Sequence, residues 1–175
     1  MHLTPNKGVF ITRTRFVMAI LTFCLLSLAS AAPGPPTKPT VKEEDRFTDN
    51  GDGTVTDAKT NLMWAAKDSG VEFRSDTAER YCEAYRGGGH RDWRMPTMEE
   101  LKDLFNLDYS SVPECWDKSP VHITPLIHLS CPHVWSATAG GSHIARFFFF
   151  SYGYASTPRG PTSLALALPV RTLKK

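Results

Sequence analysis

The chain has 175 residues and a formal net charge of +2, from 20 Lys and Arg residues against 18 Asp and Glu residues. Three of the basic residues, Lys7, Arg13 and Arg15, lie in an N-terminal segment that we expect to be removed, which leaves 17 basic residues against 18 acidic ones. A mature chain near neutrality has no general attraction for nucleic acid, so its charge argues against a nucleic-acid-binding protein.

Residues 1–31 are predicted to be a signal peptide. The basic residues precede an apolar run from Phe16 to Leu28, and Ala29-Ser30-Ala31 supplies the small side chains of a cleavage site. The apolar run has 13 residues, too few to cross a bilayer comfortably. We therefore expect a secreted or periplasmic protein of the cell envelope with no membrane span after cleavage. An uncleaved N-terminal anchor is the alternative.

Residues 32–44 are rich in proline and charge, and they lack the apolar periodicity of a helix or a strand. They are predicted to form a stiff linker. The remaining residues, 45–175, contain no internal repeat and are numerous enough for one domain with its own hydrophobic core.

The domain is predicted to begin with a β-hairpin. Arg46-Phe47-Thr48 and Thr54-Val55-Thr56 are β-prone segments, and the turn-forming tract Asp49 to Gly53 lies between them. That tract superficially resembles a calcium loop, but aligning Gly53 with the required glycine puts Thr48 and Lys59 where carboxylates are needed. A hairpin turn is the better interpretation. Leu62-Met63-Trp64 follows as another short apolar segment.

A first helix is predicted after the hairpin. Asp76 is its expected N-cap, Glu79 is placed to complete a capping box, and Gly87-Gly88-Gly89 is expected to end it. Its apolar residues recur at helical spacing, which predicts a buried stripe. That stripe consists of Ala78, Tyr81, Cys82 and Tyr85.

A second helix is predicted from about Thr97 to Asn106. The Thr97 hydroxyl and the Glu100 carboxylate are spaced for a capping box, and Pro96 keeps the chain extended just before it. The residues expected to face the core are Met98, Leu101, Leu104 and Phe105.

One disulfide is predicted among the three cysteines beyond the signal peptide. Cys82 lies on the apolar face of the first helix and is expected to be a buried, small hydrophobic residue. Cys115 and Cys131 lie in an irregular, proline-rich region of an exported protein, where a covalent link stabilises the fold most. We therefore predict a Cys115–Cys131 disulfide.

The C-terminal part is predicted to consist mainly of antiparallel strands. Two strands are expected from Val134 to Thr138 and from His143 to Phe150, with a turn at Gly140-Gly141. The four consecutive phenylalanines at the end of the second strand do not alternate with polar residues, so both faces of that strand should be covered. Strands are also expected at Leu164 to Leu168, where leucine alternates with alanine, and at Val170 to Leu173. Together, the early hairpin, the two helices and these strands predict an α+β domain.

Several motifs of this chain, in this order, resemble those of one bacterial family. They are Asp49 to Asp57, Leu62-Met63-Trp64, Tyr81-Cys82, Asp92 to Thr97 with Glu100-Leu101, Val134-Trp135-Ser136 and Val170-Arg171. The family is the Lcl C-terminal domain family, named for a collagen-like adhesin, and the resemblance spans about Phe47 to Leu173. It implies a C-type-lectin-like fold, distantly similar to formylglycine-generating enzyme domains. In the adhesin, the domain is linked to the binding of sulfated glycosaminoglycans.

Catalytic and metal sites find little support in the sequence. The set Cys115, Cys131 and His133, with His122 or His128, matches no common zinc spacing, and the two thiols are expected to pair with each other. Gly140-Gly141-Ser142-His143 is not the nucleophile elbow of a hydrolase, and an oxidase of the formylglycine-generating type would need a reactive cysteine pair in the C-terminal part. We therefore predict no enzyme activity, no metal and no cofactor.

Several conspicuous side chains are expected to be structural. Trp64, Trp93 and Trp135 lie among apolar residues, which favours core packing over a role as sugar-stacking platforms. Arg94 is expected to brace the loop that enters the second helix. Arg171 is expected to be the buried partner of an acidic residue.

The uneven distribution of charge is the one signal of function. Residues 32–117 carry a net −7, whereas residues 118–175 carry a net +6 and no acidic residue. If the basic groups share a face, that face attracts polyanions; the alternative is that folding pairs the two halves. The predicted ligand-binding residues are Arg146, Tyr152, Tyr154 and Arg159.

The sequence thus predicts an exported, non-enzymatic binding module for anionic surface glycans, of the adhesion type. Its predicted partner is an anionic polysaccharide or a surface protein. A protein-binding module of envelope assembly and a degenerate enzyme of the formylglycine-generating type are the alternatives, and the oligomeric state stays open.

Overall fold

The computed structural model describes residues 42, 45–137, 145–158, 160 and 162–174. In order, its elements are the strands β1 (Phe47–Asp49), β2 (Thr54–Asp57) and β3 (Leu62–Ala65), the helix α1 (Ser75–Ala84), a short 3-10 helix (Gly87–Gly89), the helix α2 (Met98–Leu104), and the strands β4 (His133–Ser136), β5 (Arg146–Phe149), β6 (Tyr154–Ser156) and β7 (Val170–Thr172). The predicted signal peptide, residues 1–31, and all of the predicted linker except Lys42 lie outside the described residues.

The strands form two antiparallel sheets, with the orders β1-β2-β3-β7 and β4-β5-β6. Together with the two helices they confirm the predicted α+β class, with its early hairpin and its later antiparallel strands. Within the described ranges, none of the helices has the length and apolar character needed to cross a membrane.

The first hairpin forms as predicted, with Phe47 opposite Asp57 and Asp49 opposite Val55. The acidic side chains of its turn are used inside the turn itself. Asp49 accepts a hydrogen bond from the Gly51 N–H at 2.9 Å, and Asp52 accepts one from the Thr54 N–H at 3.1 Å. Gly51 has a φ of +74°, a conformation that favours glycine. These bonds explain the turn without a calcium ion.

The predicted start of α1 is wrong. The helix begins at Ser75, so Arg74 occupies the N-cap position and makes no capping hydrogen bond through its side chain. Asp76 therefore lies inside the first turn, where its negative charge interacts favourably with the helix dipole. Its carboxylate lies 3.5 Å from Arg80. The end is also earlier than predicted, because the helix stops at Ala84 and the three glycines form a separate 3-10 helix. Of the expected stripe, Ala78 and Cys82 are buried, whereas Tyr81 and Tyr85 are partly buried.

The start of α2 is confirmed. Thr97 is the N-cap residue, its hydroxyl accepts the Glu100 N–H at 3.2 Å, and the Glu100 carboxylate accepts the Thr97 N–H at 2.8 Å. Arg94 donates to both carboxylate oxygens of Glu100, at 2.8 and 2.6 Å, and so braces the entry loop as predicted. Burial alone would raise the pKa of Glu100, but the bonds from Arg94 and Thr97 outweigh it and hold that pKa below 4.5. The helix ends at Leu104, two residues before the predicted Asn106.

Thr97→Ala is expected to lower the free energy of unfolding by about 1 kcal/mol, because the Glu100 N–H loses its acceptor at an exposed helix start. Urea unfolding of the variant measures the loss. Thr97→Ser keeps the hydroxyl and should recover most of it. A serine variant as unstable as the alanine variant would show that the capping bond is not the cause.

The segment from Leu164 to Leu168 differs from the predicted strand. It makes only isolated bridges, Ala165 with Phe73 and Leu166 with Val134. Leu166 and Leu168 pack in the main hydrophobic core, whereas Ala165 and Ala167 pack in a second cluster that includes Trp135. The alternation of leucine and alanine thus reflects a chain that runs between two cores, with large side chains on one side and small ones on the other.

The second sheet contains one strand that was not predicted, β6, which begins at Tyr154 and pairs with β5. Tyr154 therefore lies in a strand. The predicted turn at Gly140-Gly141 lies outside the described residues. Trp64, Trp93 and Trp135 are all buried, which confirms them as core residues.

Candidate functional site

The predicted ligand-binding residues are only partly brought together. Tyr152 and Tyr154 stack on each other with ring centroids 6.0 Å apart, and their side chains are 62% and 50% exposed. Arg146 is exposed and begins β5, but strand alternation places it on the face of Phe148, opposite to the face of Tyr154. Arg159 lies outside the described residues. The structure therefore supports a tyrosine pair, and it does not place Arg146 beside it.

Several basic groups of the C-terminal half pair with acids of the N-terminal half. Arg171 donates to both oxygens of Asp92, at 2.7 and 3.2 Å, and Lys174 lies 3.7 Å from the same carboxylate. The hydrogen bond from Arg171 lowers the pKa of Asp92 to about 2. Arg171 is thus the buried partner of an acid, as predicted. For these groups, folding cancels the charge asymmetry of the sequence.

A cleft of about 400 Å³ opens on one face of the second sheet. Its floor follows from strand register, because Phe147 and Phe149 point to the same side of β5 and His133 lies directly opposite Phe149. The Phe149 ring lies 5.2 Å from that of Tyr154 and 5.3 Å from that of His133. The cleft is lined by Trp116, Asp117, His133, Phe147, Phe149, Tyr154, Ser156, Thr157, Ser163 and Leu164.

The four phenylalanines of this strand and its end divide between two environments. Phe148 and Phe150 are fully buried in the core, whereas Phe147 and Phe149 are only partly buried and form the cleft floor. The prediction that both faces would be covered is thus wrong for the face that carries the cleft. Open aromatic surface of this kind is where a ligand can bind.

Trp116 is the most exposed large aromatic side chain of the described residues, at 79%, and the sequence did not single it out. Its ring lies 6.5 Å from that of His133 in an edge-to-face arrangement. Its charged neighbours Glu114, Asp117 and Lys118 were not a sufficient signal, because the buried Trp93 also lies between charged residues, Asp92 and Arg94. Trp116 stands at the edge of the cleft.

The polar groups of the cleft include a carboxylate and a buried imidazole. The Ser119 N–H donates to Asp117 at 2.9 Å and lowers the pKa of that carboxyl, which is therefore charged at neutral pH. His133 is 9% exposed, and its Nε2 lies 2.9 Å from Oε1 of Glu72. Apart from this ion-pair contact, Oε1 of Glu72 has no hydrogen-bond partner among the described residues, and neither has the buried Nδ1 of His133. Such atoms are rare in folded proteins and mark a place where a polar ligand group is favourable.

A second cavity, of about 290 Å³, also has Trp116 in its lining. It is lined by Gly70, Glu72, Glu114, Cys115, Trp116, Ser130, Cys131 and Leu166. The predicted disulfide between Cys115 and Cys131 is present, with the two Cα atoms 5.4 Å apart, and it forms part of the wall. Trp116 is common to both cavities.

The cysteines offer no metal ligands in the described part of the chain. Cys115 and Cys131 are joined to each other, and burial raises the pKa of the Cys82 thiol to about 12, so this thiol is inert. Cys82 is thus the buried hydrophobic residue that was predicted. Over the same ranges, no group of three His, Cys, Asp or Glu residues is placed to hold a metal ion.

Comparison with known proteins places the chain in a family context. The family model of the Lcl C-terminal domain matches residues 53–171, from the turn of the first hairpin to β7. No curated protein and no solved structure matches the chain. The C-type-lectin-like fold implied by the resemblance stays a prediction.

Proposed function

The chain belongs to the Lcl C-terminal domain family, and from this premise we propose that it is an exported, non-enzymatic module that binds surface glycans. The observation that supports the proposal is a cleft of about 400 Å³ lined by the exposed rings of Trp116 and Tyr154, with the exposed Tyr152 ring stacked on that of Tyr154. Exposed aromatic clusters bordered by polar groups are typical of binding sites.

The chemistry of the cleft suits a sugar. A pyranose ring has an apolar face of C–H groups, which packs on aromatic rings, and an edge of hydroxyl groups, which needs hydrogen-bond partners. The aromatic floor of the cleft offers the first kind of surface. Its rim offers the second kind, through the Asp117 carboxylate and the hydroxyl groups of Ser156, Thr157 and Ser163.

None of the described residues that line the cleft is Lys or Arg, so these residues offer no cationic partner for an anionic glycan. Arg146 lies on the opposite face of the sheet. The proposal therefore places the glycan at the aromatic cleft, with Tyr154 from the original set of predicted residues and Trp116 as an addition.

One observation supports the exported part of the proposal. The Cys115–Cys131 disulfide is typical of proteins that fold in an oxidising compartment, such as the periplasm or the cell exterior.

Trp116→Ala is expected to weaken glycan binding at least about tenfold, as for other central aromatic contacts, with little change in melting temperature because the ring is 79% exposed. The measurement is a glycan array with the exported protein, followed by calorimetric titration of each hit. Val112→Ala is the matched control, because Val112 is 65% exposed and does not line the cleft.

The proposal fails if the array yields no ligand, or if Trp116→Ala binds every ligand as tightly as Val112→Ala does. Recovery of an envelope protein on the immobilised chain, unaffected by added polysaccharide, would favour the protein-binding alternative instead.

A further inference from the structure

The two cavities that share Trp116 are connected at three places, where a residue that lines one cavity lies close to a residue that lines the other. Glu114 lines the smaller cavity and Asp117 the larger one, so Trp116 separates them within a single short loop. In the same way, Leu166 lines the smaller cavity and Leu164 lines the larger one. We name the larger cavity subsite A and the smaller one subsite B.

The third connection is the contact between Glu72 and His133. Glu72 lines subsite B, His133 lines subsite A, and the two side chains are 2.9 Å apart. Each has one buried polar atom without a hydrogen-bond partner among the described residues, and His133 as a residue is 9% exposed. The boundary between the subsites therefore holds two buried polar atoms for which a sugar hydroxyl would be a suitable hydrogen-bond partner.

The combined volume of the two subsites suits a ligand longer than one sugar ring. Subsite A measures about 400 Å³ and subsite B about 290 Å³. Each lies near the lower end of the range for small-molecule pockets, and the two together exceed what one sugar ring fills. A linear oligosaccharide that passes Trp116 would place one or more rings on each side of the indole.

The described residues that line the subsites include three carboxylates and neither an ammonium nor a guanidinium group. Asp117 lies in subsite A, and Glu72 and Glu114 lie in subsite B. None of the described residues that line either subsite is Lys or Arg, and the nearby Lys118 ammonium donates to the carbonyls of Pro113 and Glu114, at 3.3 and 2.9 Å. A cavity with carboxylates raises the local concentration of cations and repels sulfate groups.

We infer that subsites A and B form one binding site for a linear oligosaccharide of neutral or amino sugars, with Trp116 between two of its sugar rings. The inference rests on the proposed glycan function and names its ligand class. The site disfavours sulfated chains, because each subsite brings at least one carboxylate toward the ligand. Trp116 acts as the shared wall, so it contributes to binding on both sides.

The test compares three series of oligosaccharides on the exported protein: oligomers of N-acetylglucosamine, oligomers of glucosamine, and heparin fragments of matched length. Each series runs from monosaccharide to hexasaccharide, and titration calorimetry at low salt gives the affinities. We expect affinity to rise with length and then level off once both subsites are filled. The glucosamine series should bind at least about tenfold more tightly than the heparin series.

Two variants assign these effects to residues. Trp116→Ala should flatten the rise of affinity with chain length. Asp117→Asn should weaken binding of the glucosamine series about threefold more than that of the N-acetylglucosamine series, since it removes a partly exposed charge but keeps an oxygen that can accept the Ser119 N–H. Asp108→Asn is the control, because Asp108 is an exposed acid that does not line either subsite.

The outcomes separate the inference from the function on which it rests. Tighter binding of heparin fragments than of glucosamine oligomers would overturn the selection by charge, and affinity independent of length would overturn the two-part site, while glycan binding itself would stand in both cases. No binding by any series, together with an empty glycan array, would overturn the glycan function and the inference together.

Discussion

Asp57→Ala is expected to lower the free energy of unfolding by about 3–5 kcal/mol, because it leaves the Arg46 guanidinium buried without its counter-ion. The two side chains are only 2% and 1% exposed. Arg46 donates from Nε to one carboxylate oxygen at 3.0 Å and from Nη2 to the other at 2.8 Å, so the pair is bidentate. Removing one partner of such a pair costs far more than the pair itself contributes.

The position of the pair explains why its loss should affect the whole domain. Arg46 immediately precedes β1 and Asp57 ends β2, so the ion pair closes the first hairpin at its open end. The same guanidinium also donates to the carbonyl of Asp103 in α2, at 2.7 Å. One side chain thus ties the first sheet to the second helix, and its release loosens both.

Urea unfolding at neutral pH measures the effect, with Asp76→Ala as the matched control. Asp76 is 65% exposed, and its carboxylate lies 3.5 Å from Arg80, so its removal should cost less than about 1 kcal/mol. Similar losses for the two variants would contradict the assignment of the Arg46–Asp57 pair as a buried, essential contact.

The same pair predicts the direction of the pH dependence. Burial alone would raise the pKa of Asp57, but the hydrogen bonds from Arg46 outweigh it and hold that pKa below 3.8. Because the folded-state pKa lies below the unfolded one, the stabilisation is complete above about pH 3.8 and is lost as the pH falls through the folded-state value. The difference in stability between the parent protein and Asp57→Ala should therefore shrink in strong acid.

Local signals predicted much of the fold. The turn residues around Gly51 gave the first hairpin, and the spacing of Thr97 and Glu100 gave the start of α2, because both structures depend on bonds between residues close in sequence. The disulfide was predictable from the contrast between a helical Cys82 and two cysteines in an irregular region.

Features that depend on distant partners were not predictable in the same way. The alternation of leucine and alanine before β7 is the same in a strand as in a chain between two cores, and only the packing distinguishes them. The prediction of Asp76 as the N-cap failed because the helix starts two residues earlier, with Arg74 in the N-cap position.

The cleft was the largest omission. Its floor is the face of β5 that other core residues do not cover. Four consecutive phenylalanines place the same side chains on both faces, so the sequence does not tell which face stays open. The charge pattern pointed to the C-terminal half, but Arg171 and Lys174 both lie beside Asp92, which comes from the other half. Tyr152 and Tyr154 are exposed, and their role in ligand binding stays a prediction. The exposure of Trp116 was not predictable from its neighbours in the sequence.

Replacing Cys115 and Cys131 together by alanine is expected to lower the free energy of unfolding by about 3 kcal/mol, since the cross-link closes a loop with a sequence separation of 16. It should also weaken glycan binding. The disulfide fixes the loop that carries Trp116, and without it the loop keeps weaker anchors, such as the bond from the Cys115 N–H to the Ser130 carbonyl at 3.0 Å.

Urea unfolding with and without reductant, and glycan titration of the same samples, test both effects. Cys82→Ala is the control for the loss of a thiol, because Cys82 is buried in α1 and belongs to neither the loop nor the cleft. A double variant that loses stability but binds glycan as tightly as the parent would mean that the disulfide is a staple for the fold alone. Loss of both stability and glycan binding, with neither restored by added ligand, would instead show that the cross-link holds Trp116 in position, since Trp116 is the residue after Cys115.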